Sequence, residues 1–487
     1  MKIKKMVSGL KIKNISDPDI LDMDVTDITW EANNIKENSI CVLYKGVNYD
    51  SHESIDIFYK TGKICCFIVE RECEGYPYIR VENSKIALAL ISKNYFNINN
   101  SDFSSTGITG TNGKTTISYL LENIYKEANK NTVRIGTVQY KVGDEIINAS
   151  TTTPSSYVFY SLLENAKAKN IKNMISEVSS HALSQYRVFG FVFDIAVFTN
   201  LTGDHLDYHS SMEDYFRAKR ELFTKKYAKK AIINIDDIYG KRIYLSTKLE
   251  KYSYSFGIDG DIHVEKAEFS LNGIKAHLSL FDQPMYIESP LIGKHNLYNI
   301  MAAILAAYKS GFSINTIIDG ISSLDNIPGR LEKLEKDKVY FFVDYAHTDD
   351  ALENVLQAII PFKKRKIILV FGCGGNRDKT KRPRMGRVAK RLADIIVITN
   401  DNPRNEDPQM IIQNILSGIK NRNNVYIEID RKKAIYLAHS LSKEGDIILI
   451  AGKGHENYQL ISGQKYFFDD KVIVQDIIGA DVEKHIC

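Results

Sequence analysis

The chain has 487 residues, of which 44% are apolar and 25% charged, and its formal net charge is +4. These are the proportions of an ordinary globular protein; they exclude bulk attraction to nucleic acid or an anionic membrane surface, so anionic ligands must be held by local sites. No apolar run approaches the roughly 20 residues of a membrane span, so no membrane insertion is expected. The basic start is interrupted by Ser8, Lys11, Lys13 and Asn14, so no signal-peptide core is expected either. The length predicts about three domains on a ~150-residue prior. The cysteines at 41, 65, 66, 73, 373 and 487 lack metal-ligand or framework spacing, which fits reduced thiols in a cytoplasmic protein.

In chain order, residues 1–96 mix short strand-like runs, Ile40–Tyr44 and Cys65–Val69, with polar turns, and predict a small α/β unit. The polar stretch Asn97–Asp102 predicts a linker. Next comes Gly107-Ile-Thr-Gly110-Thr-Asn-Gly113-Lys114-Thr115-Thr116, a phosphate cradle with its lysine in place. Gly107 lies one position further from Gly113 than in the common P-loop, but Gly113-Lys114-Thr115 is intact. Small residues let backbone N–H groups close on phosphate oxygens, Lys114 reaches the outer phosphates, and Thr115 offers Mg²⁺ a hydroxyl. A helix over Ile117–Ile124 follows, as the motif requires. A glycine-rich turn with a stray lysine is the bland alternative, and the strand-to-helix context argues against it.

Apolar runs at 172–176, 194–198 and 231–235 then alternate with helical stretches, which predicts a largely parallel sheet covered on both faces. Glu177 directly follows the first of these runs and suits a Walker-B-like role near Mg²⁺, against the alternative of a solvated strand-end glutamate. The segment Asp204-His205-Leu-Asp-Tyr-His209 packs two acids and two histidines into six residues. His205 is the better ligand candidate there; His209 fits a surface or capping role equally well. In the next helix Lys219 falls on the apolar stripe of Met212, Tyr215, Phe216, Leu222 and Phe223. A buried ammonium is costly, so Lys219 snorkels, pairs with an acid, or loses its charge; a neutral amine can take up CO₂ as a carbamate, and spacing does not choose.

A second boundary falls near Asn326–Arg330. Beyond it, runs at 366–370, 394–398 and 446–450 each lead into a cluster: Gly372–Asp378, Asp401-Asn402-Pro403-Arg404 and Gly452-Lys-Gly-His-Glu456. Ligands of open α/β sheets bind at the carboxyl ends of strands, so the three clusters converge on one crevice. Arg377 and Arg404 suit a carboxylate, and Glu456 an ammonium, which together describe an amino-acid pocket.

These motifs, with Thr152-Thr153-Pro154, Glu177–His181, Tyr215–Lys219, His295-Asn296, Pro328–Arg330 and Val343–His347, resemble in order those of the Mur ligases, the ATP-dependent amide-forming enzymes of peptidoglycan synthesis. The resemblance runs from about Asp24 onward, and the variant phosphate loop is the family's own form. It implies an α/β fold of three domains: a small N-terminal α/β substrate domain (1–96), a central P-loop ATPase domain with a mainly parallel sheet (97–326), and a C-terminal Rossmann-like domain (327–487). Asp-Asn-Pro-Arg resembles the branch that adds meso-diaminopimelate to UDP-N-acetylmuramoyl-L-alanyl-D-glutamate. The roles implied are ATP binding by Gly110, Thr111, Asn112, Gly113, Lys114, Thr115, Thr116, Asn296, Arg330 and Asp344, and UDP-muramoyl-dipeptide binding by Thr152, Thr153, Ser179, Gln185 and Arg187. Diaminopimelate would meet Arg377, Asp401, Asn402, Pro403, Arg404, Gly452 and Glu456. Lys114, Glu177, His205 and Lys219 would be catalytic, Mg²⁺ would sit near Thr115, Glu177, His205 and Lys219, and Lys219 would be carbamylated. A monomer is expected.

Two positions depart from the family pattern. Glu31-Ala32-Asn33 stands where Asp-Ser-Arg is usual in the nucleotide-contacting segment, and Asp349 stands where a proline is usual. Rival readings are a lysine-adding or folylpolyglutamate-type ligase, a P-loop protein that uses nucleotide as a switch, and a pure binding module.

Overall fold

The structure is a computed structural model that describes residues 1–32, 35–46 and 49–479; Asn33 and Cys487 lie outside the described residues. Three sheets organise it. The first has five strands in the order Ile12–Ile15, Tyr78–Val81, Ile64–Val69, Ser39–Val42 and Asp27–Thr29, parallel except at its Ile12–Ile15 edge. The Ser84–Tyr95 helix packs on it, started by Asn83, whose side chain accepts from the N–H groups of Lys85 and Ile86.

The second sheet has eleven strands, and its centre sets the chemistry. The strand Ser104–Thr109 lies between Asn173–Glu177 and Phe193–Phe198, all three parallel. Parallel neighbours end on the same edge, so the segments that follow them (110–113, 178–181 and 199–205) emerge side by side. The expected runs are strands, at Asn173–Glu177, Phe193–Phe198 and Ala228–Asn234, with Glu177 the last residue of its strand. The antiparallel strands Ile262–Ser270, Gly273–Leu280 and Gln283–Ser289 extend the sheet at one edge, which the sequence reading did not anticipate. Lys114–Glu127 and Lys294–Lys309 cover one face, burying Ile117, Leu120, Leu121, Leu297, Ile300 and Met301 in a single core.

The third sheet runs Glu332–Lys336, Val339–Asp344, Ile447–Ala451, Ile367–Phe371, Ile395–Ile398 and Val425–Ile427, with an antiparallel pair only at the Glu332 edge. Ile447-Ile-Leu-Ile-Ala451 is buried at every position, as a central strand covered on both faces must be. Here too the segments after adjacent strands gather: 345–348, 452–456, 372–378 and 399–404. The chain is thus the α/β protein expected, with three mainly parallel sheets. Among the described residues no helix is long and apolar enough to cross a membrane, and the cysteines at 41, 65, 66, 73 and 373 are unpaired thiols.

Candidate active site

The phosphate loop takes its shape from two glycines. Gly110 (φ +150°) and Gly113 (φ +91°) occupy backbone conformations that side chains resist. A Cβ on Gly110 would fall 1.8 Å from Thr199 Oγ1, and one on Gly113 would fall 2.3 Å from Asn299 Oδ1. The helix that begins at Lys114 therefore starts against two neighbouring elements. Lys114 Nζ donates to the carbonyls of Gly110 and Thr111, both at 2.9 Å, so it is folded onto its own loop. Burial pulls its pKa down, and Glu177 and Asp204 oppose that pull.

Glu177 is fully buried and fixed on both oxygens. Thr137 donates its N–H to Oε1 (3.1 Å) and its hydroxyl to Oε2 (2.8 Å), and Thr115 Oγ1 donates to Oε2 at 3.2 Å. A solvated strand-end glutamate is thereby ruled out. The pairing of a P-loop hydroxyl with a carboxylate fits Mg²⁺ that also binds phosphate oxygens and water. Among the described residues no cluster of three His, Cys, Asp or Glu side chains is poised to hold a metal alone.

Lys219 resolves the sequence ambiguity in part. Its residue is 1% exposed, so it does not snorkel, and Nζ donates to Gly110 O at 2.8 Å rather than to an acid. Burial, then Lys114, pulls its pKa well down against Asp204, which favours the neutral amine. His205 adopts φ +56° and keeps 41% of its side chain open to the cleft. Burial of the rest, helped by His181 and Lys219, favours its neutral form despite Asp204. His209 is no surface residue: it is buried, with Nε2 2.9 Å from Ser180 Oγ.

The Thr152–Arg187 group ties into the same edge. Thr152 Oγ1 is 3.1 Å from Thr137 Oγ1. Thr153 donates to Glu177 O (2.8 Å) and accepts from Ser179 N–H (3.0 Å). Arg187 donates to Thr153 O (2.7 Å) and to Gln185 Oε1 (2.9 Å).

Arg330 crosses to the phosphate loop, donating to Thr115 Oγ1 at 3.1 Å, and with Asn296 and Asp344 it lines a cleft of 740 Å³ that also holds Asn112, Thr116 and His205. Asp344 accepts from the N–H groups of Leu331 and Ala346, both at 2.7 Å, so it positions the Arg330 turn. Asp350 joins the two layers, accepting from Asn112 Nδ2 (2.8 Å) and Thr202 Oγ1 (3.2 Å). Asp349, at the usual proline position, instead pairs with Arg384 at 3.0 Å.

The Asp401–Arg404 and Gly452–Glu456 segments form a second cluster, next to the cleft residue Tyr345, whose ring lies 4.9 Å from that of His455. Arg404 has φ +54°, and both its backbone groups are held by the Tyr458–Phe467 hairpin: its N–H by Leu460 O (2.9 Å), its carbonyl by Ser462 N–H (2.7 Å). Its guanidinium donates to Gly375 O at 2.8 Å. Burial and then Arg377 lower its pKa, a sign of two neighbouring guanidiniums. Asp401 packs against Gly452, and Glu456 accepts from Asn402 Nδ2 at 2.8 Å. Thr137, Asn299 and Asp350 escaped the sequence reading. Asn299 had a signal, the i, i+3 spacing from Asn296 on one helix face; Thr137 and Asp350 carried none.

The fold and this loop define the class. The family model described as the Mur ligase middle domain matches residues 108–307, and that of the Mur ligase glutamate ligase domain matches 329–454; the chain belongs to the Mur ligase family. It is 40% identical over 457 residues to the UDP-N-acetylmuramoyl-L-alanyl-D-glutamate--2,6-diaminopimelate ligase of Aquifex aeolicus, with 94% of each chain covered. The protein of that name from Fusobacterium nucleatum is 40% identical with 96% of each covered. A solved structure with the same title superposes with a TM-score of 0.71 at 28% identity, covering 99% of both chains.

Proposed function

We propose that the protein uses ATP to join meso-diaminopimelate to the D-glutamyl γ-carboxylate of UDP-N-acetylmuramoyl-L-alanyl-D-glutamate through an acyl phosphate. The observation that carries this reading is a cleft lined by Lys114, Thr115, Arg330 and Asp344, with the Gly452–Glu456 segment reaching its Tyr345 through His455, in a chain 40% identical to relatives bearing that activity's name.

The γ-carboxylate takes the γ-phosphoryl group, ADP leaves, and the amine then displaces phosphate through a tetrahedral intermediate. Both steps crowd negative charge, so positioning and preorganised donors dominate. Lys114 leaves the carbonyls of Gly110 and Thr111 to meet the triphosphate, and Arg330 lends a second cation at Thr115. Bound Mg²⁺ would neutralise phosphate charge at Thr115 and Glu177, and near His205 and Lys219. Thr137 holds Glu177 as an acceptor on both oxygens. The neutral, enclosed amine of Lys219 is the form that accepts CO₂, which supports its carbamylation. Thr152, Thr153, Ser179, Gln185 and Arg187 orient the dipeptide. Asn112 and Thr202, bound to Asp350, bring the amino-acid side against the phosphate side.

Phosphate release is measured with UDP-muramoyl dipeptide, ATP, Mg²⁺ and an amino-acid panel, and the product is weighed by mass spectrometry. The expected product has gained one diaminopimelate residue; turnover with lysine and none with diaminopimelate refutes the substrate assignment, and ATP hydrolysis without amide product refutes the ligase.

A further inference from the structure

Behind the amino-acid cluster lies a chain of alternating charge, of which the reaction above uses only Asp401 and Glu456. At its inner end Arg431 and Asp470 are both fully buried, paired through Nε (2.8 Å) and Nη2 (2.7 Å). Arg431 also donates to Asn400 O (3.1 Å) and Ala451 O (3.0 Å), which fastens together the two loops that carry Asp401 and Glu456. Asp401 follows; burial pushes its carboxyl up, but Lys453 and Arg431 outweigh that and hold it below its ordinary value. Then comes Lys453, 0% exposed, whose ammonium donates to Asn402 Oδ1 (3.2 Å) and Glu456 Oε2 (3.1 Å). Asn402 Nδ2 bonds the same oxygen. Both donors therefore fall on Oε2, and among the described residues none reaches Oε1.

We infer that Lys453 is a positioning and specificity-determining residue: by saturating one oxygen of Glu456 it leaves a single acceptor for one substrate ammonium, and its charge keeps the pocket net positive, matched to a zwitterionic rather than a purely cationic side-chain end. This rests on the proposed substrate reading. The charges are Arg377, Arg404, Lys453 and Arg431 against Asp401, Glu456 and Asp470, four to three. Without Lys453 they balance, which removes the advantage of a ligand that brings a carboxylate with its ammonium. Glu456 Oε2, left with Asn402 Nδ2 alone, would then have acceptor capacity to spare for any amine. Charge complementarity of this kind acts chiefly on which ligand is accepted.

Lys453→Met and Lys453→Arg are assayed beside the wild type with meso-diaminopimelate and with L-lysine. Lys453→Met is expected to raise KM for diaminopimelate about tenfold or more, to change kcat by only a few-fold, and to leave KM for ATP as it was. The ratio of kcat/KM for diaminopimelate over lysine falls by about tenfold or more, and Lys453→Arg restores most of it. An unchanged ratio in a Met variant that melts like the wild type overturns the inference, as does equal loss with both amino acids. Should Lys453→Met fail to fold, Lys453→Gln, which keeps N–H donors but removes the charge, decides by the same ratio. A wild type that ignores diaminopimelate refutes instead the substrate reading, before any variant is made.

Discussion

The phosphate edge of the central sheet and the amino-acid edge of the C-terminal sheet are built by the same topological device and finished in opposite ways. At the first, Lys114 and Lys219 both spend their donors on backbone carbonyls, Gly110 O serving each of them. At the second, charged side chains meet one another: Arg431 with Asp470, Lys453 with Glu456. A cation resting on a carbonyl gives up little when a phosphate arrives, whereas a buried ion pair is costly to break. The phosphate edge is thus made to exchange its partners and the inner part of the amino-acid edge to keep them, while Arg404 rests, like Lys114, on a carbonyl, that of Gly375.

The sharpest test of the exchanging edge is Lys114→Met, for which kcat for phosphate release should fall by about 10³-fold or more; retention of a tenth of the activity would mean the loop is not the triphosphate site. Lys219→Ala should lose about 10²-fold, with partial rescue by added short carboxylic acids, which supply the missing anionic oxygen. Full activity in the unrescued variant removes the carbamate role. At the amino-acid edge, Arg404→Ala should act mainly on binding, raising KM for diaminopimelate by roughly 10–100-fold with a smaller change in kcat; an unchanged KM shows the pocket lies elsewhere. The smallest effect expected is on stability. Burial lowers the pKa of His181 and of His295 to about 4 from 6.5. The folded chain then binds fewer protons than the unfolded one between pH 6.5 and about 4, so this contribution is whole above pH 6.5 and is lost as pH falls through that window. Thermal melts should show Tm declining by a few degrees across it; a flat profile would mean that these rings are not enclosed.

Much of this was legible in the sequence wherever a strand and its following cluster are contiguous. The runs ending at Phe371 and Ala451 are apolar, largely β-branched and short, the one ending at Glu177 is short with Met174 and Ile175 at its centre, and a parallel sheet fixes where their next residues go. What stayed hidden depends on pairing across the chain. Glu177 meets Thr137 forty residues away, and Asp350 meets Asn112 across two layers; neither distance leaves a periodic trace. Lys219 was half legible: its place on the apolar stripe marked it, but only packing shows that it does not snorkel and that its partner is a carbonyl. The strands from Ile262 to Ser289 alternate polar and apolar residues, and their edge position, open on one face, explains why they lack the continuous runs by which the others were found.

Asp349 carries a different kind of consequence. A proline at the head of the Asp349–Ile359 helix would stiffen the turn through its ring, independently of the solvent. Here the same corner is braced by Arg384, and both side chains remain partly open to water, at 26% and 31%. Ions therefore reach the brace. Concentrated salt should slacken this corner of the seam long before it touches either hydrophobic core, which makes ionic strength a selective handle on how the two layers meet.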